Sequence, residues 1–323
     1  MNASRIRVFL LILLALGSGQ ASAQFSKLVT FGDSLSDTGN IASISLNFPY
    51  PYYRNRISDG PVMADYIATA IASNANASLH LDGKVGGFNY AVAGGNIAGT
   101  DTEDLSAQVD AFLLRGNGSA DPKALYLVIM GGNDIRGVRS IISNASAQTE
   151  MDQVLDTLVS QLQRLINAGA RTFVIPNVAN IGRLPETINR QVNDPGVTNR
   201  ARLYTQYYNS RLTQRLSAMA SSGAARITQL DLFVELETLV TTASVLGFRH
   251  IETGCFDLDG FDFHPDCNYG TRFDRFVFFD NLHPTGKTNR IISQRLIALL
   301  PTKPYIGNRV NIAPIISLLL SAE

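Results

Sequence analysis

The sequence predicts a three-layer α/β/α domain built on about five parallel strands. Two observations predict it. Apolar, β-branched runs at residues 28–31, 88–92, 125–130, 172–176 and 225–230 have the near-continuous hydrophobicity of strands buried on both faces. Helical patterns fall between them, and strands that alternate with helices make βαβ units with right-handed crossovers and a covered parallel sheet.

Taken in order, residues 1–23 are read as a secretory leader. Arg5 and Arg7 give a positive start, residues 8–16 (VFLLILLAL) an apolar core, and Ala21-Ser22-Ala23 a small-x-small cleavage site before Gln24. That core falls short of the roughly 20 apolar residues a spanning helix needs, so no transmembrane segment is expected. The mature chain, 24–323, is expected to be one domain that is secreted or periplasmic. The full 323-residue sequence carries 45% hydrophobic and 17% charged residues, enough apolar material for a real core. Net charge is zero, which implies neither a nucleic-acid face nor a polybasic lipid patch.

Among the helices, Val154, Leu155, Leu158, Leu162 and Leu165 recur at three and four. Leu203, Tyr207, Leu212 and Leu216 predict the buried face of a second helix, and Ile291, Ile292, Leu296 and Leu299 that of the last. Residues 47–60 and 248–275 read as long loops, and loops of that length in a compact domain are usually functional. The second holds the chain's two cysteines, Cys255 and Cys267, which an exported chain would join as a disulfide. The apolar run near the C-terminus is expected to pack on the sheet.

Ligands of open α/β sheets sit beyond the carboxyl ends of the strands. Four polar insertions fall at or near such ends: Gly32-Asp33-Ser34-Leu35, Gly94-Gly95, Gly131-Gly132-Asn133-Asp134, and Asp280-Asn281-Leu282-His283-Pro284. Each alone is a weak signal, since such stretches are more often turns or caps. In this order they resemble the blocks of the GDSL lipase/esterase family, the SGNH hydrolase superfamily, in its secreted bacterial lipolytic form. The similarity runs from about residue 28 to residue 300.

That resemblance implies a flavodoxin-like strand order, 2-1-3-4-5, and serine ester hydrolysis without metal or cofactor. Ser34 would be the nucleophile, His283 its base and Asp280 the partner that orients the imidazole. The N–H groups of Ser34 and Gly94 and the Asn133 side-chain amide would form the oxyanion hole, with Gly95 the near alternative to Gly94. Ser34 is expected where a turn starts a helix, whose N-terminus favours an anion, with Asp33 bracing that turn. Asp262-Phe263-His264-Pro265 is a shortened competitor of the last block. Phe279 and Met63 stand where relatives often carry Trp. The implied partner is an ester or lipid, met in passing at a lipid surface. Phospholipase, lysophospholipase or acyltransferase chemistry and short-chain, choline or carbohydrate esters stay open. So does a reading of another class, a binding protein on the same scaffold. The aromatic stretches at 48–53 and 256–263 would either line an acyl pocket or pack their loops.

Overall fold

A computed structural model describes residues 25–305, apart from 46 and 259. The leader and the apolar C-terminal run lie outside the described residues. Among the described residues no helix is long and apolar enough to cross a membrane.

Four parallel strands form the central sheet in the order β1-β2-β3-β4: β1 (Leu28–Gly32), β2 (Leu125–Ile129), β3 (Thr172–Val174) and β4 (Arg226–Thr228). β1, β2 and β3 are buried along their whole length, which is why they read as unbroken apolar runs. β4 is partly exposed, as an edge strand is.

The remaining expected strand, residues 88–92, lies beside β1 but pairs only through an isolated bridge at Asn89. Thr30 N donates to Phe88 O and Tyr90 N to Thr30 O, as a parallel ladder requires. The ladder then loses one bond, because the Gly32 N–H goes to Gln108 Oε1 at 2.9 Å, while Gly32 O accepts from both the Gln108 amide and Val92 N. The sheet therefore has four full strands with this segment at its edge, in the expected order 2-1-3-4-5.

Helices cover both faces. α1 (Asn40–Ile44) and α2 (Met63–Ala70) follow β1, and α3 (Leu105–Arg115) precedes β2. α4 (Gly132–Val138) and α5 (Asn144–Ala168) lead to β3, and α6 (Pro185–Arg190) and α7 (Val197–Ser221) to β4. α8 (Leu232–Thr241) comes next, and α9 (Gly286–Ala298) closes the order. α3, α5 and α7 pack in series, and α2 packs on α9. On α5 the expected stripe is buried. On α7 the buried face is Ala201, Tyr204, Tyr208, Leu212 and Leu216, while Leu203 is 48% exposed. The expected Leu203/Tyr207 face is thus one residue out of phase at its start. Tyr204 goes inward there with its hydroxyl satisfied, donating to Ile141 O at 2.7 Å. On α9, Ile292 and Leu296 are buried, Ile291 is partly buried, and Leu299 lies past the helix end and is exposed.

The 248–275 segment is not a bare loop. β5 (His250–Gly254) pairs in parallel with β8 (Phe276–Phe278), and β6 (Phe256–Asp257) forms a short antiparallel pair with β7 (Asp262–Phe263). Cys255 and Cys267 are bonded as a disulfide, with Cα atoms 5.5 Å apart. Around the bridge sit Phe256, Phe273, Phe276 and Phe279.

Candidate active site

β1 delivers the first functional block. After Gly32 the chain makes a tight turn: Ser36 N and Asp37 N both donate to Asp33 O, and Leu35 N donates to Asp33 Oδ1 at 2.9 Å. Asp33 thus braces the turn that carries Ser34. No helix begins there, contrary to the sequence expectation; α1 starts only at Asn40. The bonds to Asp33 O close a single helical turn that does not continue. Burial pushes the Asp33 carboxyl up to about 6.

A buried polar lattice then ties the first block to the second. Asp37 Oδ1 accepts from Gly39 N and Asn40 N, and its Oδ2 from Ala93 N at 2.9 Å. Asn40 Nδ2 donates to the carbonyls of Asn89 and Ala91, and Asn89 Nδ2 donates to Ser36 O. Gly94 and Gly95 are held by this lattice. Gly94 has φ +91 with open space where a Cβ would point, whereas a Cβ on Gly95 would lie 2.4 Å from Glu103 O. The Gly95 N–H is already spent on Val92 O. The N–H groups of Ser34 and Gly94 have no protein acceptor among the described residues.

The third block follows β2. Asp134 accepts from Ile97 N and Ala98 N, locking α4 against the Gly94 segment. Asn133 Nδ2 donates to Gly95 O at 2.9 Å and Asn133 Oδ1 accepts from Arg136 Nη1 at 3.0 Å.

The last block follows β8 in a tight turn. Asp280 is fully buried, and its Oδ1 accepts from Leu282 N and His283 N, each at 2.7 Å. Asp280 Oδ2 lies 2.8 Å from His283 Nδ1. An ionised carboxylate only accepts, so the tautomer that fits this contact has its proton on Nδ1 and leaves Nε2 as acceptor. His283 Nε2 lies 2.8 Å from Ser34 Oγ, across 249 positions of sequence. The stretch after the first block holds this turn in place: Ser58 Oγ donates to Pro284 O, and Asp59 Oδ1 accepts from Gly286 N at 2.8 Å.

The competitor does not reach Ser34. His264 Nδ1 accepts from Asp266 N, and its ring lies 4.8 Å from that of His250. His250, His264 and Asp266 form the set of side chains, among the described residues, that could hold a metal ion. Asp266 Oδ2 is 3.0 Å from His250 Nε2, close enough for an ion pair but out of line for a hydrogen bond, and His250 stacks on Phe276.

Ser34, Asn133, Arg136 and His283 line one cleft, whose remaining wall is mostly apolar, with Leu35, Met63, Val178, Leu236 and Ile292 among its side chains. Met63, at one of the two positions where relatives often carry Trp, is in that wall; Phe279, at the other, is buried beneath the disulfide loop. Neither expected aromatic stretch lines the cleft. Tyr52 packs edge-on against Phe256 and Phe279, so these rings hold their loops together. Arg136, with its partner Glu186, escaped the sequence reading, because a charge on a short helix carries no signal until its tertiary partners are known.

A parallel α/β/α sheet with a serine, an imidazole and a carboxylate in hydrogen-bonded sequence at its carboxyl edge defines a serine-type ester hydrolase. The profile of the GDSL-like lipase/acylhydrolase family matches residues 28–296, and the chain belongs to that family. It is similar to a GDSL esterase/lipase of Arabidopsis thaliana, 28% identical over 279 residues that cover 72% of this chain and 73% of that one. Acetylajmalan esterase 2 of Rauvolfia serpentina is 26% identical over 348 residues, covering 90% and 94%. Among solved structures, an acetylxylan esterase of Geobacillus stearothermophilus aligns over 86% of this chain and 94% of its own, with a TM-score of 0.46 at 12% identity. The curated relatives named here are plant proteins, and what is shown is membership of the family as a whole rather than of a secreted bacterial lipolytic form.

Proposed function

We propose that the protein is an exported lipolytic esterase that works through an acyl-enzyme on Ser34. The observation that carries this reading is the unbroken series Asp280 Oδ2–His283 Nδ1 and His283 Nε2–Ser34 Oγ, both contacts at 2.8 Å. Ser34 Oγ attacks the ester carbonyl carbon as its proton passes to His283 Nε2. The carbonyl oxygen, now an oxyanion, accepts from the N–H groups of Ser34 and Gly94 and from the free N–H of Asn133 Nδ2. When the tetrahedral centre collapses, the ester C–O bond breaks and the leaving alcohol takes the proton from His283. Water, deprotonated by the same imidazole, then attacks the acyl-enzyme, releases the acid and returns the proton to Ser34 Oγ. Asp280 keeps the imidazole in its working tautomer throughout.

The apolar wall of the cleft supports an acyl chain as the recognised part of the substrate. Export rests on the leader at residues 1–23, with 24–323 as the mature domain. Tyr50, Phe261 and Tyr269 stand exposed, and transient contact of these rings with a lipid surface belongs to the same reading. The test is a panel of p-nitrophenyl esters and phospholipids of graded chain length. The reading expects kcat/KM to climb from acetate to medium-length chains, by about threefold per methylene at first. A maximum at acetate with no turnover of any lipid would contradict it.

A further inference from the structure

The amide of Asn133 is pinned at both ends. Its Nδ2 donates to Gly95 O and its Oδ1 accepts from Arg136 Nη1 at 3.0 Å, which fixes the oxygen end and leaves one N–H unspent. Arg136 is itself held, because its Nε donates to Glu186 Oε2 at 2.9 Å. The same carboxylate takes Arg139, whose side chain is almost wholly buried, at 3.0 Å from Nη1 and 2.6 Å from Nη2. Burial works to raise the Glu186 carboxyl, and the hydrogen bonds from Arg139 and Arg136 outweigh it and hold it down at about 2. It therefore stays ionised at neutral pH. The backbone of Glu186 faces the other half of the site: its N–H donates to Asn281 O at 2.9 Å, within the turn that carries Asp280 and His283.

We propose that Arg136 is a positioning residue for ester hydrolysis: it fixes and polarises the Asn133 amide as an oxyanion donor, while Glu186 holds it in register with the 280–283 turn. This rests on the reading of Asn133 given above. A guanidinium bonded to the amide oxygen draws electron density from the amide nitrogen, so the remaining N–H donates more strongly to a developing anion. The contribution is larger in the transition state than in the ground state, because the substrate carbonyl bears less charge than the oxyanion. Arg136 does not touch the reacting atoms; it acts through Asn133.

The experiment is a double-mutant cycle on kcat and KM with p-nitrophenyl butyrate, using Asn133→Ala, Arg136→Ala and the pair, with thermal midpoints recorded for each. Asn133→Ala should lower kcat by about 10²–10³. Arg136→Ala should lower kcat by about tenfold or more with KM nearly unchanged, yet lower it less than about twofold when Asn133 is already Ala. Arg136→Lys keeps the charge without the planar fork and should recover only part of the loss. Glu186→Gln keeps the backbone bond to Asn281 and loosens the hold on Arg136; it carries the same cycle if Arg136→Ala fails to fold. An equal loss from Arg136→Ala in both backgrounds, or a loss confined to KM, overturns the proposal. If Asn133→Ala leaves kcat unchanged, the reading of Asn133 as a donor fails first and this role for Arg136 falls with it.

Discussion

Gly254 lies against Asp280 so closely that a Cβ at position 254 would sit 2.4 Å from the Asp280 carbonyl carbon and 2.5 Å from its oxygen. Both obstructing atoms are backbone, so no side chain can swing aside. The end of β5 is thus the floor under the turn that presents the carboxylate and the imidazole. Gly254→Ala should displace that turn, lower kcat by about tenfold or more, and cost about 1–3 kcal/mol of stability by overpacking. Steady-state kinetics beside a urea unfolding curve check both effects, and wild-type kcat would show that the turn gives way without harm.

Asp33 makes stability depend on pH in a stated direction. Its carboxyl sits near 6 in the fold against an ordinary 3.8, because burial disfavours the charge. Between about pH 4 and 6 the folded state then holds a proton that the unfolded state has lost, so this group's contribution is full below 3.8 and is lost as pH rises through 6. Asp33→Asn keeps an oxygen for the Leu35 N–H and removes the titration. Relative to wild type, that variant should gain on the order of 1–3 kcal/mol between pH 4 and 7, read from urea midpoints. Stability curves that run parallel across this range would contradict the assignment.

The Cys255–Cys267 bridge closes a short loop, with a sequence separation of 12. The chain-entropy model gives about 3 kcal/mol for a loop of this size. The double variant Cys255→Ser, Cys267→Ser should lose about that much on urea unfolding while kcat stays within about twofold, because the Ser34–His283 contact does not run through the bridge. A large fall in kcat at full folding would make the bridge part of the site's regulation.

The fold was legible where burial is two-sided. β1 and β2 announce themselves as unbroken apolar runs because helices cover both faces of the sheet. Residues 88–92 read the same way, yet their ladder loses a bond where the Gln108 amide, far away in sequence, takes the N–H of Gly32. β5 was hidden because half of it faces solvent and its pairing with β8 is non-local. On α7 the reading favoured Leu203 over Tyr204, since hydrophobicity alone does not reveal that a tyrosine hydroxyl has an acceptor waiting inside. In the site, Ser34, Asp280 and His283 could be named from their blocks, and the structure brings them together. The parts that hold them were not legible. Asp37, Asn40 and Asn89 carry no signal of their own, because only tertiary structure joins them into a buried lattice.

The claim on which the account depends is that the Ser34 hydroxyl, activated by His283, is the nucleophile. Fluorophosphonate labelling followed by peptide mass mapping tests it most directly. The account predicts one phosphonate adduct, on the peptide that contains Ser34, abolished by Ser34→Ala together with ester hydrolysis. An adduct on another peptide, or hydrolysis that persists at the wild-type rate in Ser34→Ala, would contradict it.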